Sequence, residues 1–205
     1  MARTRAADFE DKQRAILSSA AAVLAEQGMD KASMAQIARQ AGVSKALLYH
    51  YYPGKDALIF GIIHTHLSEL EAAVEAADAA EAAPRARLRA LIGAVLECYR
   101  DADDYHKVQL NGTPTLPPGQ KQAIHAIERR IVGRFSAVLR EIRPDLAPPL
   151  LMPVTMSLFG MVNWVYMWFR DGGPVTREDY AGIATALILD GIGGIGPMPA
   201  KGQAG

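Results

Sequence analysis

Between residues 31 and 55 the chain reads KASMAQIARQAGVSKALLYHYYPGK, and this stretch holds the residues best suited to chemistry. Hydroxyls (Ser33, Ser44), cations (Lys45, Lys55) and rings (Tyr49, His50, Tyr51) sit beside the small apolar pair Ala46 and Leu47. Four residues here are basic (Lys31, Arg39, Lys45, Lys55) and none is acidic. Such a set suits recognition of a polyanion, where side chains reach phosphates and base edges from a short helix. Catalysis has no comparable claim. Ser, His and Asp occur without a nucleophile elbow, and no phosphate loop is present. His64 and His66, two apart on a helix, point to different sides and cannot easily share a metal. No catalytic residue, metal site or cofactor is expected.

The spacing says what must position these groups. Met34, Ile37, Ala38 and Ala41 recur at i, i+3, i+4 and i+7, the pattern of a helix with one inward face. Ser33 stands at its N-cap. Gly42 ends it, because a residue without Cβ tolerates a left-handed turn. Val43 drops inward and Ser44 caps a second helix, on which Leu48 and Tyr52 share the buried side. Lys45, Ala46, Tyr49 and His50 are left on the other side. Pro53-Gly54 breaks the chain and Lys55 opens a new helix. This is a helix-turn-helix with a recognition helix of about two turns. Spacing alone also admits an ordinary helical hairpin with solvated lysines.

The wording of the segment goes further. AGVSKALLYHYYPGKDAL, with Arg14-Ala15-Ile16-Leu17, Ala20, Ala21 and Gly28 upstream, resembles the N-terminal domain of the tetracycline-repressor (TetR/AcrR) family of bacterial transcription regulators. The resemblance implies an all-α protein of about nine helices. A three-helix DNA-binding domain over 9–69, its recognition motif at 33–52, would precede a ligand-binding and dimerisation domain over 70–195 and a flexible tail at 196–205. It implies that Ser33 and Lys55 hold phosphates, that Ser44, Lys45 and Tyr49 contact phosphates and base edges, and that His50 and Tyr51 add contacts. Ala46-Leu47 departs from the family's frequent Gly-Thr, so a hydroxyl contact is missing and Leu47 can instead meet a thymine methyl. Tyr52 replaces the usual Phe, and its hydroxyl needs a partner. A homodimer joined through the last two helices would read a palindrome in successive major grooves about 34–36 Å apart. A small molecule in the body, acting through the helix that starts at Lys55, would release the repressor from its operator.

Composition agrees without deciding anything. The 205 residues carry no net charge, half are apolar, and the single Cys98 excludes an intrachain disulfide. The polar N-terminus holds no hydrophobic signal segment, and a cytoplasmic protein is expected. Arg3 and Arg5 read as a short disordered basic arm, ahead of a helix from about Asp8 to Gln27. The acidic cluster Asp101, Asp103 and Asp104 reads as a loop before a short helix at 105–110. Leu150 to Phe169 contains no charge in twenty residues. Length alone permits a membrane span, but Pro153, Gly160 and Asn163 argue for a helix buried on all sides, partly against a second subunit, and no membrane is expected. The final helix, from Thr176, presents Tyr180, Ile183, Ala184, Leu187 and Ile188 as one stripe. Gly191-Ile-Gly-Gly-Ile-Gly196 follows a helix rather than a strand and is discounted as a dinucleotide fingerprint.

The effector leaves fainter marks. Tyr99, Tyr105, His106, Asn111, Asn163, Trp164 and Trp168 are polar or aromatic groups in an apolar body, each of which packing alone can explain. Asn163-Trp164 and Trp168 ahead of Gly172-Gly173 resemble a branch of the family that senses acyl- or aryl-coenzyme A thioesters and controls fatty-acid or aromatic catabolism. Its phosphates would need cations such as Arg134, Arg129, Arg130, Lys121 or Lys107. The alternative is a drug-responsive repressor of an efflux pump, with Glu97 or Glu128 facing a lipophilic cation.

Overall fold

The computed structural model describes residues 2–78 and 82–192. Among these the chain is all-α, with no strand. Nine helices are joined by one four-residue helical turn: α1 (Ala2–Gln27), α2 (Met34–Gln40), α3 (Lys45–Tyr51), α4 (Lys55–Ala77), α5 (Pro84–Cys98), α6 (Asp103–Gly112), α7 (Pro118–Ile142), α8 (Pro148–Asn163), the turn α9 (Val165–Trp168) and α10 (Arg177–Ile192). The tail at 196–205 lies outside the described residues.

Two compact units emerge, and they are not the two halves of the chain. Of the described residues, the first takes those up to Glu69 together with Asp101–Glu128; the second takes those of Leu70–Arg100 and those from Arg129 to Ile192. Helices α4 and α7 each run through both. In the first unit α1 packs on α2 and α6, and α2 on α3. Ile16, Leu17 and Leu24 of α1, Ile37 of α2, Leu48 of α3 and Leu58 and Ile62 of α4 are buried in its core. Helix α6 can lie close to α4 because Gly112 has no side chain: a Cβ there would stand 2.8 Å from Ile59 Cγ2.

Several boundaries differ from expectation for physical reasons. Helix α1 begins at Ala2, so Arg3 and Arg5 stand on its first turns rather than on a disordered arm. No Gly or Pro interrupts Ala2–Gln27, and Ala, Arg, Glu, Lys and Gln extend a helix readily. Asp103 and Asp104 form the first turn of α6, where negative charge suits the helix dipole, and only Asp101 (φ 57°) makes the turn before it.

The second unit is built on α5, α8 and α10. Its core holds Leu91, Ile92 and Val95 of α5, Phe135 and Leu139 of α7, Leu158 and Phe159 of α8, and Ala184 of α10. A ladder of ion pairs stitches the C-terminal half of α4 to its neighbours. Arg130 pairs with Glu71, Arg134 with Glu75 and Asp78, and the buried Arg87 with Asp78 and Glu141. The uncharged run does not form one helix: it stops at Asn163, and Trp164 (ψ −5°) turns its N–H to the Val162 carbonyl before α9 resumes. In the single chain Met152, Met156, Trp164, Met167 and Trp168 are exposed, which leaves one side of the run for the second subunit that the sequence reading expects. The α10 stripe splits as well: Ala181, Ala184, Thr185 and Ile188 are buried, while Ile183 and Leu187 point outward. Thr176 and Asp179 cap α10 reciprocally, as the spacing predicts.

Candidate nucleic-acid interface and effector region

Helix α3 has seven residues, and an isolated helix of that length would not persist in water. Its neighbours hold it. Ser44 accepts the Leu47 N–H at 3.1 Å, the cap its position predicts. Leu48 is fully buried, and Tyr52 is buried just past the C-terminus. The Tyr52 ring lies where Gly61 of α4 leaves room, for a Cβ at Gly61 would stand 2.8 Å from Tyr52 Cε1. The hydroxyl that distinguishes Tyr52 from Phe accepts a hydrogen bond from Gln13 Nε2 at 3.1 Å, and burial pushes its pKa up. Gly42 takes φ +64° between α2 and α3, a conformation that favours glycine. These contacts leave Lys45, Ala46, Tyr49 and His50 exposed on one side, with Leu47 half-buried beside them. The Lys45 ammonium stands 5.8 Å from the centre of the Tyr49 ring, four residues on.

The remaining expected contacts are tied into the fold. Ser33 forms a full capping box: its hydroxyl donates to Gln36 Oε1 at 2.8 Å and accepts the Gln36 N–H, and Gln36 takes the Ser33 N–H. Lys55 Nζ donates to the carbonyls of Asp30 and Ala32 at 3.2 and 3.3 Å, fastening the start of α4 to the loop before α2. Tyr51 is half-buried, with its ring stacked on Phe9 of α1 at 4.9 Å. Of the groups that fix the two short helices, Gln36 of the α2 cap was legible as the third residue after a Ser cap. Gly61 is a lone glycine inside a helical pattern, which signals close approach. Gln13 and Phe9 left no signal at all.

The candidate effector residues do not form one set. Tyr105, His106 and the exposed Asn111 belong to the first unit, where Asn111 Nδ2 donates to the Lys107 carbonyl. There His66 of α4 is buried with its ring 5.6 Å from that of Tyr105, and burial plus the nearby His106 lower its pKa to about 4. His64 points to solvent, so the two histidines of α4 part as their spacing requires. In the second unit Tyr99 donates to Asn163 Oδ1 at 2.9 Å, joining α5 to the end of α8. Trp164 and Trp168 lie on the surface, Trp164 with 58% of its area exposed. Arg134 is held by Glu75 and Asp78, and Lys107 pairs with Asp104.

Residues 16–62, which include all of α2 and α3, match the bacterial regulatory proteins of the tetR family. Residues 81–192, more than half of the chain, match the tetracyclin repressor-like C-terminal domain. The chain belongs to the tetracycline-repressor family. A TetR-family transcriptional regulator from Bordetella parapertussis 12822 is 31% identical, with a TM-score of 0.81 over 91% of this chain and 98% of that one. AibR, solved with isovaleryl coenzyme A and operator DNA, is 27% identical, with a TM-score of 0.74 over 87% of this chain and 98% of its own. The transcriptional activator FasR of Mycolicibacterium smegmatis (strain ATCC 700084 / mc(2)155) is 28% identical over 82% of this chain and 77% of its own length. The HTH-type transcriptional regulator BetI of Rhizobium meliloti (strain 1021) is 40% identical over 81 residues, so that the chain spans only 40% of that relative's length. Family membership makes the chain a DNA-binding transcription regulator of the ligand-responsive type, not an enzyme. It also separates the two readings left open by spacing, since the hairpin at 33–52 lies inside the matched DNA-binding segment.

Proposed function

We propose that the chain works in the cytoplasm as a homodimer that reads a palindromic operator with α3 and lets go when an acyl- or aryl-coenzyme A thioester binds the body. The observation that carries the DNA part is the face of Lys45, Ala46, Tyr49 and His50, exposed and free of acid on a helix anchored from its other side. Ser33, Ser44 and Lys55 flank it as phosphate contacts, and Leu47, Tyr51 and His50 as base or backbone contacts. Domain limits of 9–69 and 70–195 remain the functional division, with α4 carrying the effector's influence to the head.

The dimer part rests on apolar surface. Met152, Met156, Trp164, Met167 and Trp168 of α8 and α9 and Ile183 and Leu187 of α10 are all large, apolar and bare in the single chain. Patches of that kind mark interaction surfaces. The segments Lys55–Ala77 and Pro148–Trp168 are both long and apolar enough to cross a bilayer. Residues on α4 such as Leu58, Ile62 and Ile63 are wholly buried inside a protein core, and the bare side of α8 is the expected seam between two copies.

The coenzyme A part is supported by the likeness to AibR, whose structure holds isovaleryl coenzyme A, and by the Asn163-Trp164 and Trp168 pattern. Tyr99, Tyr105, His106, Asn111 and Arg134 stay candidate contacts, Arg134 only if the ligand's phosphates displace Glu75 or Asp78. The efflux alternative would need Glu97 to leave Arg100, or Glu128 to give up its hydrogen bonds from Gln109 and His125.

A duplex enriched from a random pool by the full chain tests the reading. Isovaleryl coenzyme A is expected to displace it and tetraphenylphosphonium to leave it bound. Displacement by the cation alone would replace catabolic control by drug response, and enrichment of no duplex would remove the operator.

A further inference from the structure

We propose that Phe9 is a positioning residue for operator recognition, holding the C-terminal turn of α3 by stacking its ring on Tyr51; this rests on the reading that α3 enters the groove. Leu48 and Tyr52 tie α3 to the core on its inner side only. At the outer side of its last turn, Tyr51 has its ring against Phe9, with centroids 4.9 Å apart and planes 28° from parallel. Phe9 itself is 49% exposed, unusual for a Phe with no core to fill. The stack continues: His50 meets the Tyr51 ring edge-on at 5.9 Å, and Tyr52 lies beyond at 6.5 Å with its hydroxyl held by Gln13 of the same helix α1.

Helix α1 therefore grips the end of α3 twice, through Gln13 on Tyr52 and through Phe9 on Tyr51. The first grip is buried and serves the fold. The second is at the surface, next to His50 on the exposed face, and leaves the core untouched. Leu48 and Tyr52 hold this two-turn helix along its inner side, so fixing the outer side of its last turn limits how its exposed residues can tilt. The operator then meets Lys45, Tyr49 and His50 already in place, which lowers the ordering cost of binding.

The test measures binding of the selected duplex by fluorescence anisotropy. Phe9→Ala is expected to weaken affinity about three- to tenfold, the scale of one aromatic pair. Phe9→Trp, which keeps a ring, should restore it. The dependence of affinity on salt should keep its slope, because no phosphate contact is lost. In a Tyr51→Ala background, Phe9→Ala should add nothing. Where Phe9→Ala melts below the assay temperature, Phe9→Leu, apolar but ringless, carries the same expectation. An unchanged affinity for the Ala and Leu variants, or an equal loss with Tyr51 absent, overturns the positioning role. Lys45→Ala and Tyr49→Ala separate this from failure of the reading itself. If both bind like the wild type, α3 is not the recognition element; if both weaken and Phe9→Ala does not, only the present inference falls.

Discussion

Two exposed surfaces of this chain are made from helices of opposite character. The face of α3 is small, polar and aromatic, and draws on Lys45, Tyr49 and His50. The face of α8, α9 and α10 is broad and apolar, with Leu187 60% and Met152 55% exposed. Polar groups stay in water without cost and bind only where a partner matches them, so the first surface is selective and weak. Apolar groups gain from any dry partner in proportion to area, so the second is strong and can seat a second copy. On the function proposed above, labour would divide: one surface would choose the DNA sequence, and the other would supply the pairing that makes the choice tight enough to matter.

The sharpest way to break that contrast is to charge the apolar face. Leu187→Glu places a carboxylate in the seam from each copy, and a buried unpaired charge costs several kcal/mol. The variant should be monomeric by light scattering and lose operator affinity at least about a hundredfold, with α3 unaltered. A dimeric variant would move the seam elsewhere.

The first unit should also lose stability under acid. The folded pKa of His66 is lowered to about 4, below the ordinary value of 6.5, because burial and His106 disfavour its charge. Between those values the unfolded chain takes up a proton that the folded chain refuses. The contribution of His66 to stability is therefore unchanged above about pH 6.5 and falls as pH drops towards 4, by a total of ~3 kcal/mol. Urea unfolding from pH 7 to 4.5 checks this, with His66→Gln expected to flatten the profile. Equal slopes in the two proteins would discard His66 as the source.

Substitutions on α3 should be milder and leave folding alone. Tyr49→Ala and Lys45→Ala should each weaken operator binding by roughly 1–3 kcal/mol, with thermal midpoints close to wild type. The smallest expected effect is at Gly42, whose φ of +64° strains any residue with a Cβ. Gly42→Ala should lower stability by ~1 kcal/mol through the turn alone, read as a shift in the urea midpoint without change of slope.

Local features of this chain could be seen in advance. The caps at Ser33, Ser44 and Thr176, the turn at Gly42 and the start of α5 at Pro84 all follow from residues within a few positions of one another. So did the need of Tyr52 for a partner, though not that the partner would be Gln13, thirty-nine residues away. Harder to see was the membership of α6 in the first unit, because that depends on α6 packing against α1, some eighty residues earlier in the chain. The end of α8 at Asn163 was hidden for a similar reason. Twenty uncharged residues carry no stop signal, and the Tyr99 hydroxyl that meets Asn163 comes from another helix.

Residue order was sufficient for helicity, for the turn between α2 and α3, and for which side of α3 faces water, because those depend on backbone preferences and a periodicity of 3.6. Which distant helices meet, which candidate effector residues share a unit, and whether an aromatic such as Phe9 or Trp164 is sheltered or bare were settled by packing. Such contacts bring together residues far apart in the chain, and no short-range preference encodes them.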